Sequence, residues 1–314
     1  MSPGLALATT TIVVNSASAG GATGKRWPTI RLELDQAGLK YQLEFTNGPG
    51  HATEITRKAL AGGAQCVVAV GGDGTINEVV NGFFDEDGKA IQPSACLALI
   101  PSGTGGDFRK SVDVPKDVAG AIACLNSGKT QTVDVGRIDY GDGSHRFFIN
   151  IADCGLGGEV VAKVNRSKAK GGGLRGTAVF LWTSLATLMT YPGCHVDIEI
   201  EGRKLRRHVR NVVIANGKFF GGGMKIAPDA VVNDGLFDVV IVGMSSKLGA
   251  LTGIGSIYRG THIDRSDVEV LRGRVVKITS TDDRAPILFD LEGEQIGQVP
   301  ATLTCVPSAI KIAC

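Results

Sequence analysis

A fully apolar strand that ends in a glycine cluster constrains this chain more than any other feature. Cys66-Val67-Val68-Ala69-Val70 is continuously apolar, the pattern of a parallel strand covered on both faces. It runs directly into Gly71-Gly72-Asp73-Gly74-Thr75-Ile76-Asn77-Glu78, where a helix over about 75–84 begins. Glycines let a ligand approach the backbone without Cβ obstruction, and the N–H groups of a new helix are unpaired. That combination suits a phosphate. Asp73 is a carboxylate inside an anion-attracting loop. It partners magnesium or a magnesium-bound water, or it helps to cap the helix.

The pattern before and after this loop is β-α-β-α. Strands are expected at 11–15, 41–46, 66–70 and 96–100, and helices at 28–38, 51–62, 75–84 and 117–127. This order implies a parallel sheet covered by helices. Beyond residue 131 the chain changes to short Val- and Ile-rich runs at 131–139, 146–152, 194–200, 209–215, 236–242, 268–279, 286–291 and 302–306. Only one long helix, about 174–190, is expected among them. The fold class is therefore α/β, an N-terminal parallel-sheet domain over 1–133 followed by a mostly antiparallel β domain over 134–314.

A second glycine loop, Pro101-Ser102-Gly103-Thr104-Gly105-Gly106-Asp107-Phe108, also follows an apolar strand. Two such loops at the carboxyl ends of parallel strands face one crevice, where α/β sheets bind ligands. Gly221-Gly222-Gly223 and the turn pair Asp234-Gly235 lie between two later strands, and Asp234 with nearby carbonyls suits a hard cation. Phe289-Asp290-Leu291-Glu292-Gly293-Glu294 places three acids within five residues, a candidate general-base or metal site. Each of these segments alone also reads as an ordinary turn.

Composition excludes several classes. Lys and Arg total 33 against 31 Asp and Glu, a net charge of +2, without the basic excess of a nucleic-acid binder. The 44 glycines in 314 residues have no G-X-Y period, so a collagen-like chain is excluded. Seven cysteines without a CxxC pair imply buried reduced thiols and a cytoplasmic protein rather than a zinc site. Gly24-Lys25-Arg26 and Gly128-Lys129-Thr130 lack the leading glycine of a Walker A loop. The stretch 177–190 is too short for a membrane span.

Taken in order, Gly71-Gly72-Asp73-Gly74-Thr75 with Asn77-Glu78, Pro101-Ser102-Gly103-Thr104 with Asp107-Phe108, Asp234-Gly235 and Glu292-Gly293-Glu294 resemble the diacylglycerol kinase catalytic-domain family. The bacterial soluble lipid kinases are the nearest branch, with sphingosine and ceramide kinases as relatives. The resemblance implies an NAD kinase-like fold, with an antiparallel β-sandwich over 134–314 whose last strand packs back on the first domain, and an ATP-dependent lipid kinase that phosphorylates a lipid hydroxyl, of diacylglycerol or a related glycerolipid. Thr46, Gly72, Asp73, Gly74, Thr75, Ile76, Asn77, Glu78 and Thr104 would contact ATP. Asp234, with the carbonyls of Val231 and Leu236, would hold Mg2+. Asp73 would organise the catalytic magnesium, and Glu294 or Glu292 would act as base. Glu292 stands where the family has Asp, Gly106 where it has Asn, and Asn15-Ser16-Ala17-Ser18-Ala19-Gly20 lacks the family's proline.

The alternatives are an NAD kinase-like or sphingoid-base kinase, and a regulator that binds nucleotide or lipid without turnover. The basic stretches 163–175 and 203–210 suggest peripheral contact with an anionic membrane surface, at the inner face of the membrane. Phe180, Leu181, Trp182, Leu185 and Leu188 could supply an apolar groove. A homodimer is compatible with the sequence, and no nucleic-acid partner is expected.

Overall fold

The computed structural model describes residues 9–102, 106–169, 176–282 and 285–314. Four parallel strands form its N-terminal half: β1 (Thr10–Val14), β2 (Tyr41–Phe45), β3 (Cys66–Gly71) and β4 (Cys96–Pro101). Their spatial order is β2-β1-β3-β4. Side chains alternate across the sheet with period two. Ile12, Val14, Val68 and Val70 pack on one face against α1 (Ala22–Gln36) and α5 (Val118–Ser127). Val13, Val67, Ala69 and Leu97 pack on the other against α2 (His51–Ala61) and α3 (Asp73–Asn81). β1 feeds outward to β2, whereas β3 feeds the other way to β4. The order therefore reverses between β1 and β3, and the crevice beyond their carboxyl ends is where such sheets bind ligands.

α1 begins six residues before the helix expected from the sequence and carries Pro28 in its interior. The left-handed glycines 20 and 21 make the turn that permits the early start. α3 crosses α2 tightly at Gly82. A Cβ there would lie 2.4 Å from Cβ of Thr56 and 2.7 Å from the carbonyl oxygen of Thr53. Gly82→Ala is expected to destabilise the protein by about 2 kcal/mol through overpacking, measured by urea denaturation.

The second half is antiparallel, built on β5 (Thr130–Tyr140), β6 (His145–Phe148), β7 (Ile151–Gly155), β8 (Cys194–Ile200), β9 (Arg203–Ala215), β10 (Phe237–Gly243), β11 (Val268–Gly273), β12 (Val275–Ser280), β13 (Leu288–Leu291), β14 (Glu294–Gln298) and β15 (Ala301–Ala313). Ile138, Phe148, Val196, Val212, Phe237, Val276, Phe289 and Leu303 share its main core. β15 pairs antiparallel with β5 and β12, then parallel with β4 through Lys311 and Ile312. Strand pairing is thus continuous from one half to the other.

Among the described residues three α-helices, not one, interrupt this half: α6 (Leu156–Ala169), α7 (Gly176–Thr190) and α8 (Lys247–Arg259). α8 carries Gly249, Gly253 and Gly255, which lower its intrinsic helicity and hide it from a propensity reading. Its ends are nonetheless well specified. Ser246 accepts from the N–H of Gly249, and Gly260 is left-handed with its N–H on the carbonyls of Ser256 and Ile257. No helix of the described residues is long and apolar enough to cross a membrane.

Candidate active site

Asn15 leaves β1 at the reversal point, and its Nδ2 donates to Oγ1 of Thr75 at 2.9 Å, across the crevice to α3. Gly71 makes room for that threonine, since a Cβ at Gly71 would lie 2.5 Å from the same Oγ1. The first-turn N–H groups of Asp73, Gly74 and Thr75 have no intrahelical acceptor, an arrangement that favours an anion at the start of α3. The side chain of Ile76 is in the core, and its N–H donates to the carbonyl of Gly72.

Asp73 is spoken for within the protein. Its carboxylate accepts from the backbone N–H groups of Gly106 at 3.0 Å, Asp107 at 3.1 Å and Phe108 at 3.4 Å, the start of α4 (Asp107–Ser111). Burial pushes its carboxyl upward, against the pull of those N–H groups. Asp107 extends the chain of contacts. It accepts from the N–H of Gly222 at 2.7 Å and from Lys110 Nζ at 2.7 Å. Carboxylates therefore tie the three glycine loops together.

Glu78 caps α2 by accepting from the N–H of Ala52 at 3.1 Å. Asn77 is buried with Oδ1 unpartnered. Thr46 follows β2 and donates its N–H to Val14 at 2.9 Å, so it flanks the crevice. Thr104 lies outside the described residues.

Glu292 and Gly293 both have positive φ, 56° and 88°, as a two-residue turn between β13 and β14 requires. Glu292 is the non-glycine residue forced into that conformation, a form of strain that clusters at functional sites. Its Oε1 accepts from the N–H groups of Asn150 at 2.6 Å and Ile149 at 3.0 Å. Burial, then repulsion from Asp73, pushes the Glu292 carboxyl up to about 8, against those N–H bonds. Glu294 is more exposed and faces Gly74, where a Cβ would lie 3.8 Å from Oε1. Burial, then Glu78, raises its carboxyl.

One acid absent from the sequence expectation completes the site. Asp153 on β7 lies opposite Asp290 of the acid-rich turn, on β13, in the antiparallel register. Asp153 is buried with Oδ1 unpartnered. Gly157 makes its space, since a Cβ there would fall 1.9 Å from that oxygen. Asp290 accepts from the N–H of Gly293 at 2.7 Å and so holds the Glu292 turn. Burial raises both carboxyls, Asp290 to about 7. Only the strand register shows this pair, because the two lie more than a hundred residues apart.

The Asp234 turn lies elsewhere. Asp134, fully buried, accepts from the N–H groups of Gly235 and Ser308 at 2.7 Å each. Asp234 itself pairs with Arg272 and accepts from the N–H of Leu236 at 3.0 Å, and Val231 is exposed. A carboxylate already neutralised by an arginine does not fit a resident cation. No cluster of three His, Cys, Asp or Glu suited to a metal occurs among the described residues.

One cavity of about 750 Å3 joins these parts. At one end are Gly72, Asp73, Gly74, Asp153, Asp290 and Glu292. Its long wall is apolar, with Leu156, Val160, Leu185, Leu188, Ile254 and Ile257 among its residues. A helix start built for phosphate, a buried carboxyl and an apolar chamber define a kinase for an apolar acceptor. Comparison with known proteins agrees. Residues 9–138 match the diacylglycerol kinase catalytic domain, and residues 151–314 match the YegS C-terminal NAD kinase beta sandwich-like domain. The chain belongs to this diacylglycerol kinase family, whose members are lipid kinases using ATP as phosphoryl donor.

The diacylglycerol kinase of Bacillus subtilis (strain 168) is 27% identical over 290 residues, covering 92% of this chain and 90% of its own length. That of Staphylococcus aureus (strain Newman) is 27% identical over 292 residues, covering 92% and 87%. In fold, the chain is similar to a diacylglycerol kinase from Bacillus anthracis str. Sterne, with TM-score 0.69, 19% identity and coverage of 97% and 96%. A second solved chain from that organism gives TM-score 0.76 at 22% identity, covering 97% and 94%.

Proposed function

We propose that this chain transfers the γ-phosphoryl group of MgATP to the hydroxyl of diacylglycerol or a related glycerolipid. The observation that carries the reading is a cavity that has both an apolar wall and a carboxyl-bearing end at the glycine loop. The acyl chains occupy the wall, and the hydroxyl meets Glu292. The phosphates lie against the start of α3, with Thr46, Asn77 and Glu78 around the nucleotide. The hydroxyl proton passes to the Glu292 carboxylate, the oxygen attacks the γ-phosphorus, and the bond to the ADP oxygen breaks. Asp290 holds the turn that presents Glu292, and Glu294 flanks Gly74. Magnesium enters with ATP. A resident ion at Asp234 would first have to displace Arg272.

A sphingoid base is the second reading, because the unpartnered oxygen of Asp153 would accept from an ammonium group. An NAD-type acceptor fits the apolar wall poorly.

Incubation with labelled ATP, magnesium and a panel of diacylglycerol, phosphatidylglycerol, sphinganine and NAD tests the reading. Label is expected in diacylglycerol above the others. ATP consumption indifferent to every lipid would overturn it in favour of a binding protein. Gly253→Leu supplies a control inside the chamber, because a Cβ at Gly253 meets nothing closer than 3.7 Å. Filling that space is expected to raise KM for long-chain acceptor about tenfold without lowering Tm.

A further inference from the structure

The cationic hairpin β8–β9 does not offer free charge for a membrane. Arg206 pairs with Asp197, Lys204 with Glu199, and Arg203 and Arg207 with Glu269. The apolar surface lies instead on α7 and α8. Both helices line the cavity, and Leu185 and Tyr258 line it while remaining 38% and 48% exposed, which marks where the chamber meets the outside. Trp182, one turn from Leu185, is 72% exposed.

On α8, Leu248, Leu251, Gly255 and Tyr258 recur at helical spacing on one outward stripe, and Leu248 is 72% exposed. α7 has no charged residue along its length. α8 has no acid, and Lys247 and Arg259 stand at its two ends without an acidic partner among the described residues. Arg210 couples the helices. It sits at an irregularity of the β9–β10 pairing and donates to Leu188 at 3.0 Å on α7 and to Ser245 at 3.1 Å just before α8.

We propose that the outer face of α7 and α8 is a docking surface that beds into an anionic lipid bilayer, placing the mouth of the chamber over its substrate. An apolar stripe bounded by cations and free of acids matches an acyl layer beneath anionic headgroups. Its continuity with the chamber points to the source of the acceptor, so the proposal rests on the lipid-kinase reading.

The test is flotation with vesicles of phosphatidylcholine, with and without phosphatidylglycerol, for wild type and a Trp182→Ala, Leu248→Glu, Leu251→Glu variant. None of these three residues lines the chamber. Wild type should float with the anionic vesicles, and the variant should bind them at least about tenfold more weakly. Turnover should fall on vesicle-embedded diacylglycerol and be retained on a short-chain, water-soluble one. A Lys247→Glu, Arg259→Glu variant should lose the preference for phosphatidylglycerol.

The proposal is overturned if the apolar variant floats like wild type, or if wild type does not float. It is also overturned if wild type sediments as a dimer that the variant abolishes while vesicle binding is unchanged, since the face then joins two copies of the chain. Flotation of wild type without phosphorylation of either diacylglycerol would leave the docking surface standing and sink the acceptor assignment instead.

Discussion

Glu292→Gln is expected to lower turnover about a hundredfold to ten-thousandfold while MgATP binding persists, the range a general base contributes. The amide oxygen can still accept from the N–H groups of Ile149 and Asn150, so the turn survives and the proton acceptor is lost. Wild-type turnover should rise with pH as Glu292 ionises toward about 8. The stability effect has the opposite sense. The folded carboxyl titrates above its unfolded value, so its contribution is full below about 4.5 and is lost as pH rises through about 8. Glu292→Gln should therefore gain Tm relative to wild type between pH 5 and pH 8, read by calorimetry across that range. A variant that keeps wild-type turnover would move the base to Glu294, which Glu294→Gln then tests.

Asp73→Ala should be nearly as severe for a different reason. Three backbone N–H groups at the start of α4 lose their acceptor. Bonds to a charged group contribute about 1.5–3 kcal/mol each and share one carboxylate here, so a loss of about 2–4 kcal/mol is expected from urea denaturation. Turnover should fall with it, because the second glycine loop is released from the first. Asp73→Asn separates this positioning role from magnesium binding. Its remaining oxygen keeps part of the cap, so the dependence of rate on magnesium concentration should stay as in wild type. A large shift in that dependence would return Asp73 to the metal.

Much of this was legible in the sequence because it is local. Cys66 to Val70 and Cys96 to Ile100 declare themselves by continuous apolarity, and the glycines after them by what a backbone near phosphate requires. Glu292 was visible in its acid-rich turn. What stayed hidden depends on long-range pairing. Asp153 and Asp290 meet only through the register of β7 and β13. Asp73 reads as free until α4 arrives over it. The cations of 203–207 look like a docking patch until Asp197, Glu199 and Glu269 fold beside them. α8 was missed because its glycines hide a helix that its capping residues define.

The position of β15 has a consequence for how the chain is made. β4 pairs with β3 on one side, and its other side is covered by the parallel segment around Lys311 and Ile312. During synthesis, the N-terminal sheet emerges about two hundred residues before that segment. Until then it presents an uncovered edge formed by the apolar run Cys96 to Ile100, a template for pairing with other chains. Completion of the N-terminal sheet thus waits until the segment around Lys311 and Ile312 has been made, and a chain released before then keeps that edge bare.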